Sequence, residues 1–248
     1  MKEMIYSVEV LFAEKTSNNY FLSSLKQMMR FSVFILFSSF LLFGCRKDKK
    51  TTTFDLGTNY FPRIVGSWVV YDIDSIIHDD NDAQLGYIDT FKYQFKEIIE
   101  SKYTDAAGVL NHRIERYSRT DTTDWVILDV WSSRMDNFRA IQVEENIDFI
   151  KLIFAPKIGD TWNGNTYNTL EVWDYEYTSV DSRDTINTLV LDSVLTVVQK
   201  DDANIIEREY AEEKYARGIG RVSKTYISLD IQNESGVEYY EVINSFGN

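Results

Sequence analysis

Apolar and polar residues alternate with period two along most of the chain beyond residue 60. Phe91, Tyr93 and Phe95 fall on one side of an extended segment, with Lys92, Gln94 and Lys96 on the other, which predicts a half-buried β-strand. The same pattern sets Trp173, Tyr175 and Tyr177 against Asp174 and Glu176. It returns at Leu189, Leu191, Leu195 and Val197, with polar or smaller residues between them. One wet face per strand implies antiparallel sheet. Turn-forming residues punctuate these runs at 105–108, at Asn163-Gly164, at Asp201-Asp202, at 218–220 and at 233–236, a spacing suited to a meander of hairpins. Residues 143–154 carry both periods: Ile147, Ile150 and Phe154 suit a helix, while Ile147, Phe149 and Ile153 alternate. The segment is read as strand. Pro62 and Pro156 stand where a missing backbone donor is tolerated, at strand boundaries, and no internal repeat is convincing.

The N-terminal quarter has a different pattern. Lys26 and Arg30 precede residues 31–43, an unbroken apolar and small run, and Arg46, Lys47, Asp48, Lys49 and Lys50 follow closely. A membrane-crossing helix needs about 20 apolar residues, so this run reads instead as the hydrophobic region of a signal peptide. It ends in Leu42-Phe43-Gly44-Cys45, which resembles the bacterial lipobox, although Phe43 is bulkier than that pattern usually shows. The resemblance implies that Cys45 is acylated and becomes the mature N-terminus; cleavage elsewhere, leaving a free thiol, is the alternative. Two or three acyl chains, at about 0.8 kcal/mol per buried CH₂, make a lasting anchor where a single chain holds only marginally. Met28 and Met29 stand directly before Arg30, so residues 1–27 read as an over-extended start, with a long leading region as the other option.

Three segments follow: a signal peptide at 1–44, a basic then threonine-rich tether at 45–59, and a single antiparallel β domain at 60–248. Such a domain buries roughly 70% of the surface its unfolded chain exposes. With the only cysteine given to lipid, the domain stands on packing without a disulfide. Removing Lys2, Lys15, Lys26, Arg30, Glu3, Glu9 and Glu14 turns the formal −13 into 22 positive against 36 negative groups, or −14. That charge repels phosphates, so no nucleic-acid partner is expected.

Candidate chemistry is sparse. His78 and His112 lie in different segments, too few for a zinc site, and no Gly-x-Ser-x-Gly elbow occurs. Asp72, Asp74, Asp79, Asp80 and Asp82 cluster around His78. They miss the EF-hand spacing, because glycine falls at Gly86 and no glutamate closes the loop, so they read as a solvated acidic loop and no metal is expected. A glycosidase needs two carboxyls about 5 to 9 Å apart. In a strand the adjacent Glu144 and Glu145 would point to opposite faces, and Asp174 and Glu176 look like the wet side of theirs. Trp68, Trp125, Trp131, Trp162 and Trp173 could stack on sugars or hold lipid, but read first as large core side chains. A transmembrane barrel would gather its aromatics in girdles at strand ends, which mid-strand Tyr175 does not fit.

Two stretches, Gly159-Asp160-Thr161-Trp162 and Tyr215-Ala216-Arg217-Gly218-Ile219-Gly220-Arg221-Val222, resemble uncharacterised Bacteroidota lipoproteins and half-barrel domains of the periplasmic lipoprotein-carrier type. Together they cover twelve residues. A further glycine and phenylalanine usual between them are replaced here by residues 190–195, Val-Leu-Asp-Ser-Val-Leu. The resemblance implies a strongly curved antiparallel meander whose concave face holds an acyl chain or a partner's apolar segment; a sandwich-like domain with a filled core is the other architecture. The function expected is that of a non-enzymatic envelope lipoprotein, bound to the bilayer through Cys45 and holding an apolar ligand or serving an envelope assembly, without cofactor. A glycan-binding accessory is the alternative. By analogy with lipoprotein sorting, Arg46 after the anchor points to the outer membrane, at its periplasmic face over the cell surface.

Overall fold

The structure is a computed structural model that describes residues 54–79 and 87–248; Cys45, the signal run, Asp80, Asp82 and Gly86 lie outside the described residues. Among these residues one sheet of twelve antiparallel strands is formed, with a short 3₁₀ turn at Thr58–Tyr60 before it. The strands are β1 (Trp68–Asp79), β2 (Tyr87–Thr104), β3 (Leu110–Arg119), β4 (Val126–Met135), β5 (Arg139–Glu144) and β6 (Ile147–Ile153). The second half comprises β7 (Thr161–Asn163), β8 (Asp174–Ile186), β9 (Leu189–Ala203), β10 (Glu207–Ala216), β11 (Gly220–Asp230) and β12 (Ser235–Gly247). The antiparallel meander expected from the alternation is what forms, with the curvature that the resemblance implies.

The pairing is almost cyclic. Every strand pairs with its neighbour in sequence except β6 with β7, and β12 returns to pair with β1, so the ladder runs from β6 through β1 and β12 to β7. The two edges of the sheet, β6 and β7, meet at the middle of the chain. There the barrel is stitched by a few contacts in place of a ladder: Ile150 N–H donates to Gly164 O at 2.9 Å, and Trp162 Nε1 donates to Ile150 O at 2.9 Å. Tyr177 Oη both accepts from Ile153 N–H at 2.8 Å and donates to Ile153 O at 2.7 Å. A closed sheet leaves no row of unpaired edge groups, and these bonds nearly complete the closure.

Local chemistry accounts for the turns. Residues 143–154 hold two strands joined by Glu145 and Asn146, both with positive φ (49° and 63°), the backbone a two-residue type I′ hairpin demands. Gly218 and Gly220, at φ 76° and 100°, turn β10 into β11 as the paired glycines of the sequence suggest. Asp201 and Asp202 instead lie within β9, whose turn falls two residues later, where Asn204 Oδ1 accepts from the N–H groups of Ile206 and Glu207.

Alternate up and down strands place the β2–β3, β4–β5, β6–β7, β8–β9 and β10–β11 connections, together with residues 54–67, at one end. That end is plugged. Tyr60 is fully buried among Ala140, Leu152, Tyr175, Tyr177, Leu195, Val197 and Tyr215. Its hydroxyl donates to Asp181 Oδ1 at 2.7 Å, while Arg217 ties Asp181 to Asp55 and Asn59. The β8–β9 hairpin adds Ile186, Leu191 and Val194 to a second cluster with Tyr71, Ile73, Val222 and Ile243.

Candidate functional site

Register carries the inner face around the barrel. One row of directly opposed residues runs Tyr93, Ile73, Glu241, Lys224, Glu213, Val197, Tyr177 across seven strands. Its ends are apolar and its middle alternates in sign, the favourable arrangement for opposed charges. A second row runs Val69, Glu97, Arg116, Asp129 from β1 to β4. The strands therefore deliver a charged layer into the barrel, on the open side of the plug.

The layer is densely paired. Arg116 meets Glu97 at 3.2 Å and Asp129 at 2.9 Å, and Arg221 meets Glu97 at 2.9 Å and Glu241 at 2.7 Å. Lys151, arriving from β6, lies 2.8 Å from Glu144 and 2.9 Å from Glu213. Glu213 has no exposed surface and Glu241 only 2%. Isolated charges at such depth would be very costly, so they persist only because each is matched. Arg116 also lies over Trp131, 3.6 Å from the ring centre, and near Phe95 at 4.9 Å.

Proton affinities follow from this packing. Burial alone would push Glu213 and Glu144 up, but Lys151 and Lys224 hold both carboxyls below their ordinary range. Burial would likewise lower Lys151, and the two glutamates reverse it, holding the ammonium firmly charged. Asp129 goes the other way: burial raises it despite Arg116. Burial also raises the hydroxyls of Tyr215, bonded to Glu213, and Tyr239, bonded to Glu241.

Beside this layer a cavity of about 330 Å³ is lined by Trp131, Glu144, Glu145, Phe149, Arg221, Lys224, Tyr239 and Glu241. A separate groove of about 670 Å³ has one wall of Phe91, Tyr93, Phe95, Val126 and Leu128 and polar residues such as Arg119 and Asp124 around it; Phe95 of that wall lies 4.9 Å from Arg116, which lines the cavity. The rim of the groove is open: Phe91 is 50%, Val126 62% and Leu128 49% exposed. The inward parity read for Phe91 and Phe95 holds, yet Phe91 is not covered, because it stands where the inner face runs out to solvent.

The other candidates separate. His78 pairs with Glu238 at 2.9 Å on the outer surface of β1 and β12, while His112 is buried on β3, where burial lowers its proton affinity. Asp72 accepts from Gln94 and Asn244, and Asp74 pairs with Lys92. No group of three metal-ligating side chains occurs among the described residues. Asp174 and Glu176 are exposed, as their strand pattern implies. Glu144 and Glu145, expected on opposite faces, both line the cavity, since the left-handed backbone of Glu145 ends the strand alternation. Trp162 packs on Tyr175 and Tyr177, Trp131 under Arg116, and Trp68, Trp125 and Trp173 each lie beside a cation. The five tryptophans do not make an exposed flat row.

Sequence reasoning missed Glu97, Arg116, Lys151, Glu213, Arg221 and Glu241. A signal was present: Glu213 shares strand parity with the buried Ala211 and Tyr215, and Glu241 with Tyr239 and Ile243. A charge at an apolar parity position marks a buried charge.

No protein-family model matches the chain, and no curated protein matches it. Among solved structures it is similar to a protein from Bacteroides fragilis described as exported with a YmcC-like fold, at 11% identity and a TM-score of 0.43. A second, described as a lipoprotein, comes from Parabacteroides distasonis, at 11% identity and a TM-score of 0.41. Each alignment covers 76% of this chain and 98% of the other.

Proposed function

We propose that the chain is a non-catalytic envelope lipoprotein, anchored through Cys45, whose barrel holds the apolar part of an amphiphilic ligand at its open end. One observation carries the reading: an uncovered aromatic and aliphatic groove on the inner face, at the end away from the Tyr60 plug. Contiguous exposed apolar surface on a soluble domain marks a binding site, and a concave apolar wall beside a few polar groups is the usual form of a small-ligand pocket. The charged layer supports a binding role over a catalytic one, since its members are locked to one another. The anchor and the envelope location rest on the N-terminal run and its lipobox-like end. The outer membrane is part of the proposal and rests on Arg46, and its periplasmic face rests on Asp48 being the one acidic residue just after the anchor.

Native mass spectrometry of the Cys45→Ala full chain, recovered from its own envelope without detergent, tests the reading. One bound amphiphile per chain, displaced by a fluorescent fatty-acid analogue, is the expected result. A bare chain that also fails to bind the analogue overturns it. For the anchor, a clickable palmitate should label the parent and not the Cys45→Ala chain.

A further inference from the structure

The cavity beside the charged layer is lined by groups of both signs, and one buried donor and one cation among them are left without a partner. Arg221 Nε is a buried donor with no acceptor. Glu144 and Glu241 line it too, each held by one cation, Lys151 at 2.8 Å and Arg221 at 2.7 Å, and an ionised carboxylate can accept further bonds. Lys224 stands in register between Glu213 and Glu241 and makes no ion pair within 4.0 Å among the described residues, where Glu213 and Glu241 pair with Lys151 and Arg221. All four side chains line the same 330 Å³ space, room for roughly ten waters. Buried donors are satisfied in the great majority of cases, so a donor left open beside a cavity, next to a cation without an ion pair, is an invitation to a ligand.

Charge selects the class of ligand. A simple anion would meet Glu144, Glu145 and Glu241 on one wall, inside a chain of net charge −13. A simple cation would leave Arg221 Nε and Lys224 without acceptors. We infer that the cavity receives a zwitterionic head group borne on an apolar chain, its ammonium toward Glu144 and Glu241, its anionic part toward Lys224 and Arg221 Nε, and its chain along Phe91 and Leu128. This rests on the amphiphile reading above and adds the head-group class to it.

The test is calorimetric titration of the Cys45→Ala full chain with four single-chain amphiphiles of equal chain length: lysophosphatidylethanolamine, lysophosphatidylglycerol, a monoacylglycerol and a primary alkylamine. Glycerophosphoethanolamine, which has the head without the chain, separates a lipid source from a small soluble zwitterion. The zwitterionic amphiphile is expected to bind about tenfold more tightly than the neutral one, the worth of one or two charge-assisted hydrogen bonds. Lys224→Met and Glu144→Gln should each bring that ratio close to one. Lys224 is half-buried and unpaired, so its variant remains informative if Glu144→Gln folds poorly. Equal binding of all four amphiphiles, or preference for either singly charged head, overturns the head-group inference and leaves the groove standing. Binding of none of them overturns the groove as well.

Discussion

The two halves of the barrel share strands and alternation but solve the problem of the inner face differently. At the plugged end the inward positions are Tyr60, Leu152, Tyr177, Leu195 and Val197, closed against water by the 3₁₀ turn. Directly beneath it they are Glu213, Arg221, Glu241, Lys151 and Arg116, and at the open end aromatics with no cover. The first half holds the fold by excluding water, an effect without direction. The second places charges that tolerate only specific partners, and such layers add little net stability over an apolar filling of the same shape. A layer of that kind is retained where it positions something.

Deleting one charge from the layer should break this contrast most severely. Lys151→Met strands Glu144 and Glu213 together and should cost about 3–5 kcal/mol in urea unfolding. Replacing Lys151 and Glu213 by methionine and leucine together should restore much of that loss, whereas an equal cost in the double variant would mean that the pairs themselves hold the fold. A smaller effect is expected at the seam. A Cβ on Gly164 would lie 2.2 Å from the ring of buried Tyr175, so Gly164→Ala should cost about 1–3 kcal/mol. Faster hydrogen exchange at the Ile150 amide should accompany it.

Acid should distinguish the halves by salt dependence. Asp181, at the plug, is depressed by hydrogen bonds from Arg217, while Glu213 is depressed by Lys151 and Lys224 against the upward push of burial. Carboxyls lowered on folding stabilise the protein at every pH above their unfolded values, near 4, and lose that contribution as pH falls through the folded values. Thermal midpoints should therefore stay level from pH 7 to about 5 and fall below about pH 4. Asp181 is half exposed, so salt should weaken its share; the share of enclosed Glu213 should resist salt. If Asp181→Asn and Glu213→Gln respond alike to salt, the contrast fails.

The smallest effect on stability belongs to the open rim. Phe91→Ser should change unfolding free energy by no more than about 0.5 kcal/mol, since half of the ring already faces solvent. It should nevertheless weaken binding of the fatty-acid analogue severalfold. A strongly destabilised Phe91→Ser chain would assign the groove to the core.

Much of this architecture is legible in the residue pattern. Tyr175 and Tyr177 against Asp174 and Glu176, the glycines at 218 and 220, and the inward parity of Phe95 give strands, hairpins and the antiparallel class, because side-chain alternation and turn backbone are local properties. Tertiary structure alone decided which strands meet at the seam, that Glu145 turns back beside Glu144, and that Lys151 from β6 reaches Glu213 on β10. Alternation states that a side chain points inward but not what awaits it there; partners 62 residues apart are joined only when the sheet curls and β6 comes round to face β7. The buried charges were therefore visible as residues and invisible as a layer, since their energy depends on partners that closure alone supplies.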